Sequence, residues 1–363
     1  MFKRIISITL LVALTAGLIL GCKKEEINIP APDQTGHTPT TGVSELIPTG
    51  IGNITPDPTL VPAEDPLSTQ PTEEPVTEAL TATPEPTPTP EPTPVPRFYN
   101  GSFDIPETLS DPVERLEYIR TQLINNADHY NSLSDDNEQT WCFKRMKDHT
   151  VSGSYETFRI TDYDSFYAAT GVSDSDKVIY LTFDCGYPSD LTVKILDTLA
   201  KHNAKANFFV TKMYLEKCGD YARRMKEEGH AVCNHTVHHQ DLRGKSVEKI
   251  AAEIIDAAEY FYEITGYEFD PYFRTPTGAY TKRLLSIIKD AGYKTVFWSI
   301  AYGDYDNNNQ PAPGYVLDHF TTYHHNGAIA LMHNDSTSNA NELDAVLTML
   351  ENEGYRFGLL NEL

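Results

Sequence analysis

From about Lys177 onward, short runs of β-branched and aromatic residues alternate with longer segments that carry apolar residues at helical spacing. Short apolar runs bounded by glycine and polar residues are typical of buried strands. The runs that predict strands are residues 178–183, 206–210, 231–233, 272–273, 295–298, 328–332 and, more weakly, 355–357. The pattern therefore predicts strands that alternate with helices along the chain.

The clearest helical segment follows the third predicted strand. Its apolar face consists of Val247, Ile250, Ile254, Ala258, Phe261 and Ile264. Ser246 is placed to cap the first turn, and Gly266 is placed to end the last one. Glycine followed by histidine or tyrosine predicts the ends of three further helices, at Gly229, Gly292 and Gly354.

Helix, glycine stop and strand recur in that order, which is typical of βα units on a parallel sheet. Six or seven such units predict an α/β fold whose parallel strands form an incomplete or distorted (β/α) barrel. An open, doubly wound sheet is the alternative, and periodicity alone does not separate the two.

Composition sets a boundary near Phe98. Of the 24 prolines, 17 lie within residues 30–96, where no aromatic residue occurs. Such a segment cannot bury enough apolar surface to offset its chain entropy. We therefore predict a disordered Pro/Thr/Glu linker over residues 23–97, an N-terminal extension that packs on the barrel over residues 98–175, and the barrel domain over residues 176–363.

The N-terminus has the features of an export signal. Lys3 and Arg4 precede an apolar run, which as a helix spans ~24 Å and is shorter than the ~30 Å core of a bilayer. The run ends at Gly21 and Cys22, and a small residue before cysteine resembles the lipobox of bacterial lipoproteins. We predict that residues 1–22 are a lipoprotein signal, that Cys22 is lipidated, and that the protein is extracytoplasmic and lipid-anchored to the cell membrane. An uncleaved membrane anchor is the alternative.

The chain carries a formal net charge of -23, of which -16 falls on residues 98–363. A surface of this sign repels phosphate backbones, so we expect no nucleic-acid partner. An anionic lipid surface would not hold the protein by charge either. We expect the chain to act as a monomer.

Polar residues follow several of the predicted strands directly. They are Asp184 and Cys185 after the first, Asn234, His235 and His239 after the third, Arg274 after the fourth, Asp304 beyond the fifth, and His333 after the sixth. The C-terminal ends of barrel strands carry the active site, so these residues are predicted to meet around one pocket. The spacing of His235 and His239 allows both imidazoles to bind one metal ion, and His238 is the competing partner.

Five motifs at these positions resemble those of the polysaccharide deacetylases with a NodB-homology domain. They are Thr-Phe-Asp-Cys-Gly-Tyr at 182–187, Asn-His-Thr-Val-His-His at 234–239, Arg-Thr-Pro-Thr-Gly at 274–278, Asp-Tyr at 304–305 and Leu-Met-His at 331–333. Within that family the chain looks most like the delta-lactam-biosynthetic de-N-acetylases, which act on muramic acid residues of spore peptidoglycan. That likeness rests on Trp-Cys-Phe-Lys at 141–144, Gly-Tyr at 186–187, Trp-Ser-Ile-Ala at 298–301 and Asn-Asn-Gln at 308–310. The resemblance covers roughly residues 141–363.

The resemblance implies a divalent metal hydrolase that removes acetyl from an N-acetylated sugar. By this resemblance, Asp184 would be the general base, and His235 and His239 would be metal ligands. Arg274 would orient Asp184, and Asp304 would hold the second histidine. His333 would protonate the leaving amine. A metal ion would polarise the amide carbonyl and lower the pKa of bound water. An acid and a base on opposite sides would then complete attack and departure.

Cys185 stands where the wider family has a second aspartate as metal ligand. Thiolate is an excellent zinc ligand, and one cysteine with two histidines is a known catalytic zinc set. We therefore predict a zinc site made of Cys185, His235 and His239, with cobalt or manganese as the other candidate metals. The alternative is that Cys185 is a small filler and that histidines and water hold the metal. A disulfide between Cys218 and Cys233 is also open in an extracytoplasmic domain.

The predicted function is removal of N-acetyl groups from peptidoglycan, with N-acetylmuramic acid as the target and a muramic delta-lactam as the later product. The second hypothesis moves the substrate to N-acetylglucosamine or a chitin-like polymer. The third is a wall-glycan-binding protein that has lost catalysis through Cys185. For substrate contacts the resemblance implies Tyr187, Tyr305 and Trp298. The predicted partners are the glycan strand and, through the lipid anchor, the membrane.

Overall fold

The computed structural model describes residues 101–133 and 138–363. The predicted lipoprotein signal, residues 1–22, and the predicted linker, residues 23–97, lie outside these residues. Within the described ranges, no helix combines the length and the apolar character that crossing a membrane requires.

Helices and strands alternate through most of the described chain. The helices are α1 (Pro112–Asn125), α2 (Ala127–Ser132), α3 (Leu191–Lys201), α4 (Lys212–Glu227), α5 (Val247–Thr265), α6 (Lys282–Asp290), α7 (Tyr315–Tyr323) and α8 (Thr337–Asn352). The strands are β1 (Gln139–Thr140), β2 (Phe143–Lys144), β3 (Gly153–Ser154), β4 (Ser165–Phe166), β5 (Val178–Cys185), β6 (Asn207–Val210), β7 (Ala231–Asn234), β8 (Asp270–Phe273), β9 (Ala279–Tyr280), β10 (Lys294–Val296), β11 (Ala328–His333) and β12 (Arg356–Phe357). Each of the seven predicted strands overlaps an observed one.

One sheet organises the molecule. Its strands run in the order β11, β5, β6, β7, β8, β10, β4, with β12 beside β5, and all of these pairings are parallel. The sheet curls until the chain beyond β10 meets β11. At this seam Ser299 N donates to Ile329 O at 2.9 Å, and Leu331 N donates to Ile300 O at 2.9 Å. The predicted incomplete (β/α) barrel is therefore confirmed, and the open doubly wound sheet is excluded.

The helix boundaries follow the caps that the sequence contains. The hydroxyl of Ser246 accepts from Lys249 N at 3.4 Å, and Gly266 ends α5 with φ of +76°. A left-handed residue at this point lets the last turn close, and glycine adopts it without a steric penalty. The three other predicted glycine stops likewise lie directly beyond the ends of α4, α6 and α8.

The core lies between the outer face of the barrel wall and the helices that cover it. Leu181, Phe208 and Val232 from neighbouring strands belong to one buried cluster with Leu196 of α3 and Leu347 of α8. Every residue of β5 is buried, as expected for a parallel strand that is covered on both faces.

The N-terminal extension packs on the barrel through helices and through a strand. Ile119, Leu123 and Tyr130 of α1 and α2 share a buried cluster with Ile250 and Ile254 of α5. Farther along the extension, β4 joins the sheet as a parallel neighbour of β10. Packing of this segment was predicted, whereas its contribution of a strand was not.

Candidate active site

Most of the predicted site residues lie at the C-terminal end of the barrel strands. Asp184 is at the end of β5, His235 follows β7, Arg274 follows β8, and His333 ends β11. Asp304 reaches the same end from the loop beyond β10, because it bonds to His333. The parallel register explains this convergence, since strands that run side by side bring their carboxyl ends to one edge.

Asp184 and Arg274 form a buried ion pair. Arg274 Nη1 lies 2.6 Å from Asp184 Oδ1, and Arg274 is completely buried. The guanidinium is fixed by bonds from Nε to Val296 O at 3.0 Å and from Nη1 to Thr182 Oγ1 at 3.0 Å, and it lies over the ring of Phe209. Burial alone would raise the pKa of Asp184, but Arg274, with the two nearest histidines, holds the pKa of this carboxyl below its usual value. Asp184 is thus an ionised carboxylate, and Arg274 fixes the position of its Oδ1.

A tight turn brings the imidazoles of His235 and His239 together. Thr236 and His239 both adopt positive φ, of 76° and 52°. Asn234 Oδ1 accepts from Thr236 N at 2.9 Å, and Thr236 Oγ1 accepts from His239 N at 2.9 Å, so polar side chains within the turn hold its unusual backbone. The two ring centroids are 4.8 Å apart. Burial lowers the pKa of His235 to about 3 and also lowers the pKa of His239, so both rings are neutral at pH 7.

His238, the competing histidine, does not join this pair. Its Nδ1 lies 2.6 Å from Glu253 Oε1 of α5, and its side chain is 57% exposed. Glu253 also accepts the backbone N–H groups of Val237 and His238. The glutamate therefore holds the turn in place and keeps His238 outside the pocket.

The His235 and His239 pair fits a divalent metal ion. Nδ1 of His235 is bonded to the carbonyl oxygen of Arg274 at 2.7 Å, which assigns the proton to Nδ1 and leaves the lone pair on Nε2. That Nε2 atom is buried and makes no hydrogen bond, and it lies 3.5 Å from Asp184 Oδ2. A neutral imidazole with a free, inward lone pair is the usual state of a metal-binding histidine.

The structure corrects the prediction that Cys185 is a third ligand. Its side chain is completely buried in the same apolar cluster as Tyr214 and Cys218, on the helix-covered side of the wall. Successive side chains of a strand point to opposite faces, so with Asp184 in the pocket Cys185 points away from it. Burial raises the pKa of this thiol well above its usual value, which keeps it protonated. Within residues 101–133 and 138–363, no three His, Cys, Asp or Glu side chains are grouped so as to hold a metal ion.

The disulfide that the sequence left open is not formed. Cys218 lies in α4 and Cys233 in β7, and both are buried free thiols. Burial raises the pKa of each, so neither is a reactive thiolate.

The buried carboxylate of Asp304 and the partly exposed imidazole of His333 form a second pair in the site. Nδ1 of His333 lies 2.8 Å from Asp304 Oδ1, and the backbone N–H of His333 donates to Asp304 Oδ2 at 2.8 Å. Burial would lower the pKa of His333, but the charge of Asp304 and the hydrogen bond to it raise that pKa to about 9. His333 is therefore a cation at pH 7. Asp304 holds this histidine and not His239, which corrects the role predicted for it as the holder of the second histidine.

Aromatic side chains surround the two pairs. The ring of Tyr187 lies 6.4 Å from that of His239, and the ring of Tyr305 lies 6.1 Å from that of His333. Both tyrosines are well exposed, at 56% and 65%. Trp298 is half-buried, with its ring 5.6 Å from the Arg274 guanidinium. The two tyrosine rings therefore lie at the surface beside the site histidines, and Trp298 lies deeper.

Gly278 makes room for that tryptophan. A Cβ atom there would lie 2.7 Å from the Trp298 ring and 3.0 Å from Trp141 Cβ, and the residue has φ of +68°. Trp141 in turn stacks on Phe297 and donates from Nε1 to Trp298 O at 2.8 Å. The Trp-Cys-Phe-Lys motif upstream of the barrel thus supports the strand end that carries Trp298.

Sequence reasoning missed a group of polar residues behind the pair of His333 and Asp304. Asn339 Nδ2 donates to Asp304 Oδ2 at 2.6 Å, and Tyr302 donates from its hydroxyl to Asn339 Oδ1 at 2.7 Å. Gln310 donates from Nε2 to Asp304 O at 2.7 Å. The only signal in the sequence was Gln310 within the Asn-Asn-Gln motif, because Asn339 lies within a helix where asparagine has no distinguishing pattern.

Comparisons with known proteins agree with this geometry. A family model described as polysaccharide deacetylase matches residues 171–296. The peptidoglycan-N-acetylmuramic acid deacetylase PdaA of Bacillus subtilis is 39% identical over 225 residues, which are 61% of this chain and 84% of that protein. The peptidoglycan-N-acetylglucosamine deacetylase PgdA of Listeria monocytogenes is 34% identical over 189 residues, which are 52% of this chain and 39% of the relative.

The solved structure of Bacillus subtilis PdaA, a family 4 carbohydrate esterase, aligns with a TM-score of 0.60 at 38% identity. The alignment covers 63% of this chain and 98% of that one. The Bacillus subtilis relative is 39% identical and is matched over 84% of its length, which establishes the family. The chain belongs to the polysaccharide deacetylase family.

Proposed function

We propose that the protein is a metal-dependent deacetylase that hydrolyses the acetamido group of amino sugars in peptidoglycan, with N-acetylmuramic acid as its target. The observation that carries the proposal is the Asp184 carboxylate 3.5 Å from the imidazole of His235, with the pair of His333 and Asp304 at the same end of the barrel. Amide hydrolysis needs a base for the attacking water and an acid for the leaving amine. The choice of muramic acid is supported by the name of the Bacillus subtilis relative.

Asp184 is the base in this proposal. Arg274 engages its Oδ1, whereas Oδ2 faces the imidazole of His235 at 3.5 Å. Oδ2 is therefore the oxygen that accepts the proton of the attacking water. The fixed guanidinium keeps the carboxylate ionised before the reaction and keeps its orientation during it.

His235 and His239 are the residues that would hold the metal ion. A bound divalent ion polarises the amide carbonyl and lowers the pKa of water. We propose zinc, because imidazole ligands suit it, with cobalt and manganese as the competing metals. Elemental analysis of the purified protein distinguishes the three, and His235→Ala should lose the metal while Cys185→Ala retains it.

His333 is the acid. Its Nδ1 is engaged by Asp304, so Nε2 is the nitrogen left to donate a proton to the leaving amine. The products are acetate and a free amine on the sugar. On a muramic acid residue that amine can attack the lactyl carboxyl group, and loss of water then closes a delta-lactam.

The test is digestion of purified peptidoglycan, with and without stem peptides, followed by mass spectrometry of the muropeptides. The proposal expects muramic acid residues that have lost one acetyl group, in a reaction that Asp184→Asn abolishes. Loss of acetyl from glucosamine residues alone would assign the substrate to the alternative that the Listeria relative's name suggests. No acetate release with added zinc, cobalt or manganese would leave the glycan-binding alternative.

The location of the enzyme is part of the proposal. We infer that Cys22 is lipidated and that the protein acts outside the cytoplasmic membrane. The support is the order of features over residues 1–22, where two basic residues are followed by an apolar run and then by Gly21 and Cys22. Cys22→Ala should abolish incorporation of a labelled fatty acid. We also propose a monomer, since one chain supplies both the acid and the base, and light scattering of the purified protein tests this.

A further inference from the structure

Asp304 is a fully buried carboxylate, and within residues 101–133 and 138–363 no lysine or arginine forms an ion pair with it. A buried charge without a fixed cation is costly unless hydrogen-bond donors replace its lost water. Its side chain has three such donors, namely the backbone N–H of His333, the ring Nδ1 of His333 and the side-chain amide of Asn339. Only the last comes from a residue outside the pair.

The amide of Asn339 has a defined orientation. Asn339 is 1% exposed, and its Oδ1 accepts the hydroxyl of Tyr302 at 2.7 Å. A phenol at this distance must donate, since the amide oxygen has no hydrogen to give. The amide nitrogen therefore faces Asp304 Oδ2 at 2.6 Å and also donates to the backbone carbonyl of His333 at 3.1 Å.

We propose that Asn339 is a positioning residue for the catalytic acid, and that its amide, oriented by Tyr302, holds the Asp304 carboxylate in line with Nδ1 of His333. The inference rests on the proposed function, because it takes His333 as the proton donor. Asn339 touches no reacting atom and acts only through Asp304. It is supplied by the first turn of α8, whose cap at Ser336 fixes the backbone N–H of Asn339 at 3.2 Å.

Several other charged groups face His333. Asp184 and Asp335 both raise its pKa, and His239 lies on the other side of the pocket. None of these groups is bonded to Asn339. A change at Asn339 should therefore alter the contribution of Asp304 to the state of His333 and leave the other contributions in place.

The test compares Asn339→Ala and Tyr302→Phe with Asn341→Ala in the full chain. Asn341 is exposed on the same helix and serves as the matched control. Asn339→Ala should lower kcat by about 10-fold to 100-fold, the scale on which displacement of a catalytic group acts, with KM within about twofold. The upper pH limit of kcat should move down by about one unit, because an Asp304 carboxylate that is no longer held in line with the ring stabilises the imidazolium less. Tyr302→Phe should give a smaller change in the same direction, because the amide remains but is free to turn.

A second readout separates this inference from the proposed function. Histidine side-chain nitrogen NMR on the purified protein without substrate follows the titration of His333, whose signal is assigned with His333→Gln. The inference expects the midpoint of that titration to fall in Asn339→Ala and to stay unchanged in Asn341→Ala, whether or not any substrate is turned over. An unchanged His333 midpoint in Asn339→Ala overturns the inference, and so does a loss of kcat with the pH limit unmoved.

Discussion

Two aspartates lie buried at the same end of the barrel, and their partners differ. Asp184 is paired with Arg274, whose charge is permanent, and its pKa lies below the usual value. Asp304 is paired with His333, which can lose its proton, and with an amide. The same kind of side chain therefore has two uses. Asp184 is an ionised base, whereas Asp304 keeps the imidazole of His333 protonated.

The difference also predicts how each pair responds to removal of its carboxylate. Loss of Asp184 leaves a guanidinium buried without a counter-charge. Loss of Asp304 leaves an imidazole that can become neutral by releasing its proton. A buried charge that cannot be neutralised costs far more than one that can, so the base side should be the less tolerant of the two.

The largest expected effect is that of Asp184→Asn. Removal of a general base lowers kcat by about 10²-fold to 10⁴-fold, and the unpaired Arg274 should lower the free energy of unfolding by about 3–5 kcal/mol. Steady-state acetate release and denaturant unfolding measure the two effects. If Asp184→Asn destabilised the protein less than Asp304→Asn, the contrast between a permanent and a titratable partner would be wrong.

The second effect is that of Asp304→Asn. His333 in the wild type has its pKa raised to about 9, so an acid role requires activity to persist at neutral pH and to fall as the pH rises through about 9. Removal of the carboxylate should move that decline toward the ordinary histidine value of about 6.5 and lower kcat at pH 8 by about 10-fold to 100-fold.

The stability of the wild type should also fall as the pH rises. The raised pKa of His333 contributes stability that is fully present below the unfolded value of about 6.5 and is lost as the pH rises through about 9. Unfolding measured at pH 6 and at pH 9.5 should show this loss in the wild type and a smaller one in Asp304→Asn. An equal loss in both proteins would assign the pH dependence to another group.

A smaller effect is expected from the exposed tyrosines, one beside each pair. Tyr187→Ala and Tyr305→Ala each remove an aromatic surface next to a site histidine, so we expect KM for peptidoglycan to rise several-fold, about the scale of 1 kcal/mol of stacking. The kcat value should change less than twofold. Tyr315→Ala, at an exposed ring on α7, is the control, and an equal rise in KM there would argue against a specific contact.

The smallest effect on catalysis is expected from Cys185→Ala, although Cys185 is the neighbour of Asp184 in the sequence. Its side chain lies in the core, so metal content and kcat should stay within about twofold while stability falls by about 1 kcal/mol. Zinc content and thermal unfolding check these outcomes. Loss of bound zinc in this variant would reinstate the cysteine as a ligand and refute its placement in the core.

The spacing of apolar residues along the chain was sufficient to predict most of the helices and strands. The helical face that begins at Val247 was read correctly, as were its cap and its glycine stop, because local chemistry determines those features. The strand Ser165–Phe166 was not predicted. It is only two residues long, so no alternation marks it, and its place in the sheet depends on pairing with β10.

The site was predictable where a motif fixed both a residue and its strand. Asp184, Arg274 and His333 lie where the motifs predicted, since parallel strands align their ends. The prediction that Cys185 is a metal ligand was wrong. It rested on residue type, whereas the alternation of side chains along β5 decides which face the thiol occupies. Asn339 could not be predicted, because its contact with Asp304 joins two segments that are 35 residues apart in sequence.

The strand contributed by the extension determines how far this enzyme can be shortened. The family model matches residues 171–296, yet the barrel takes Ser165–Phe166 from before that range and Ala328–His333 from after it. The stacked ring of Trp141 lies farther upstream still. Residues 171–296 are therefore not a transplantable module, and a functional excision or fusion would have to carry at least the chain from Trp141 through His333.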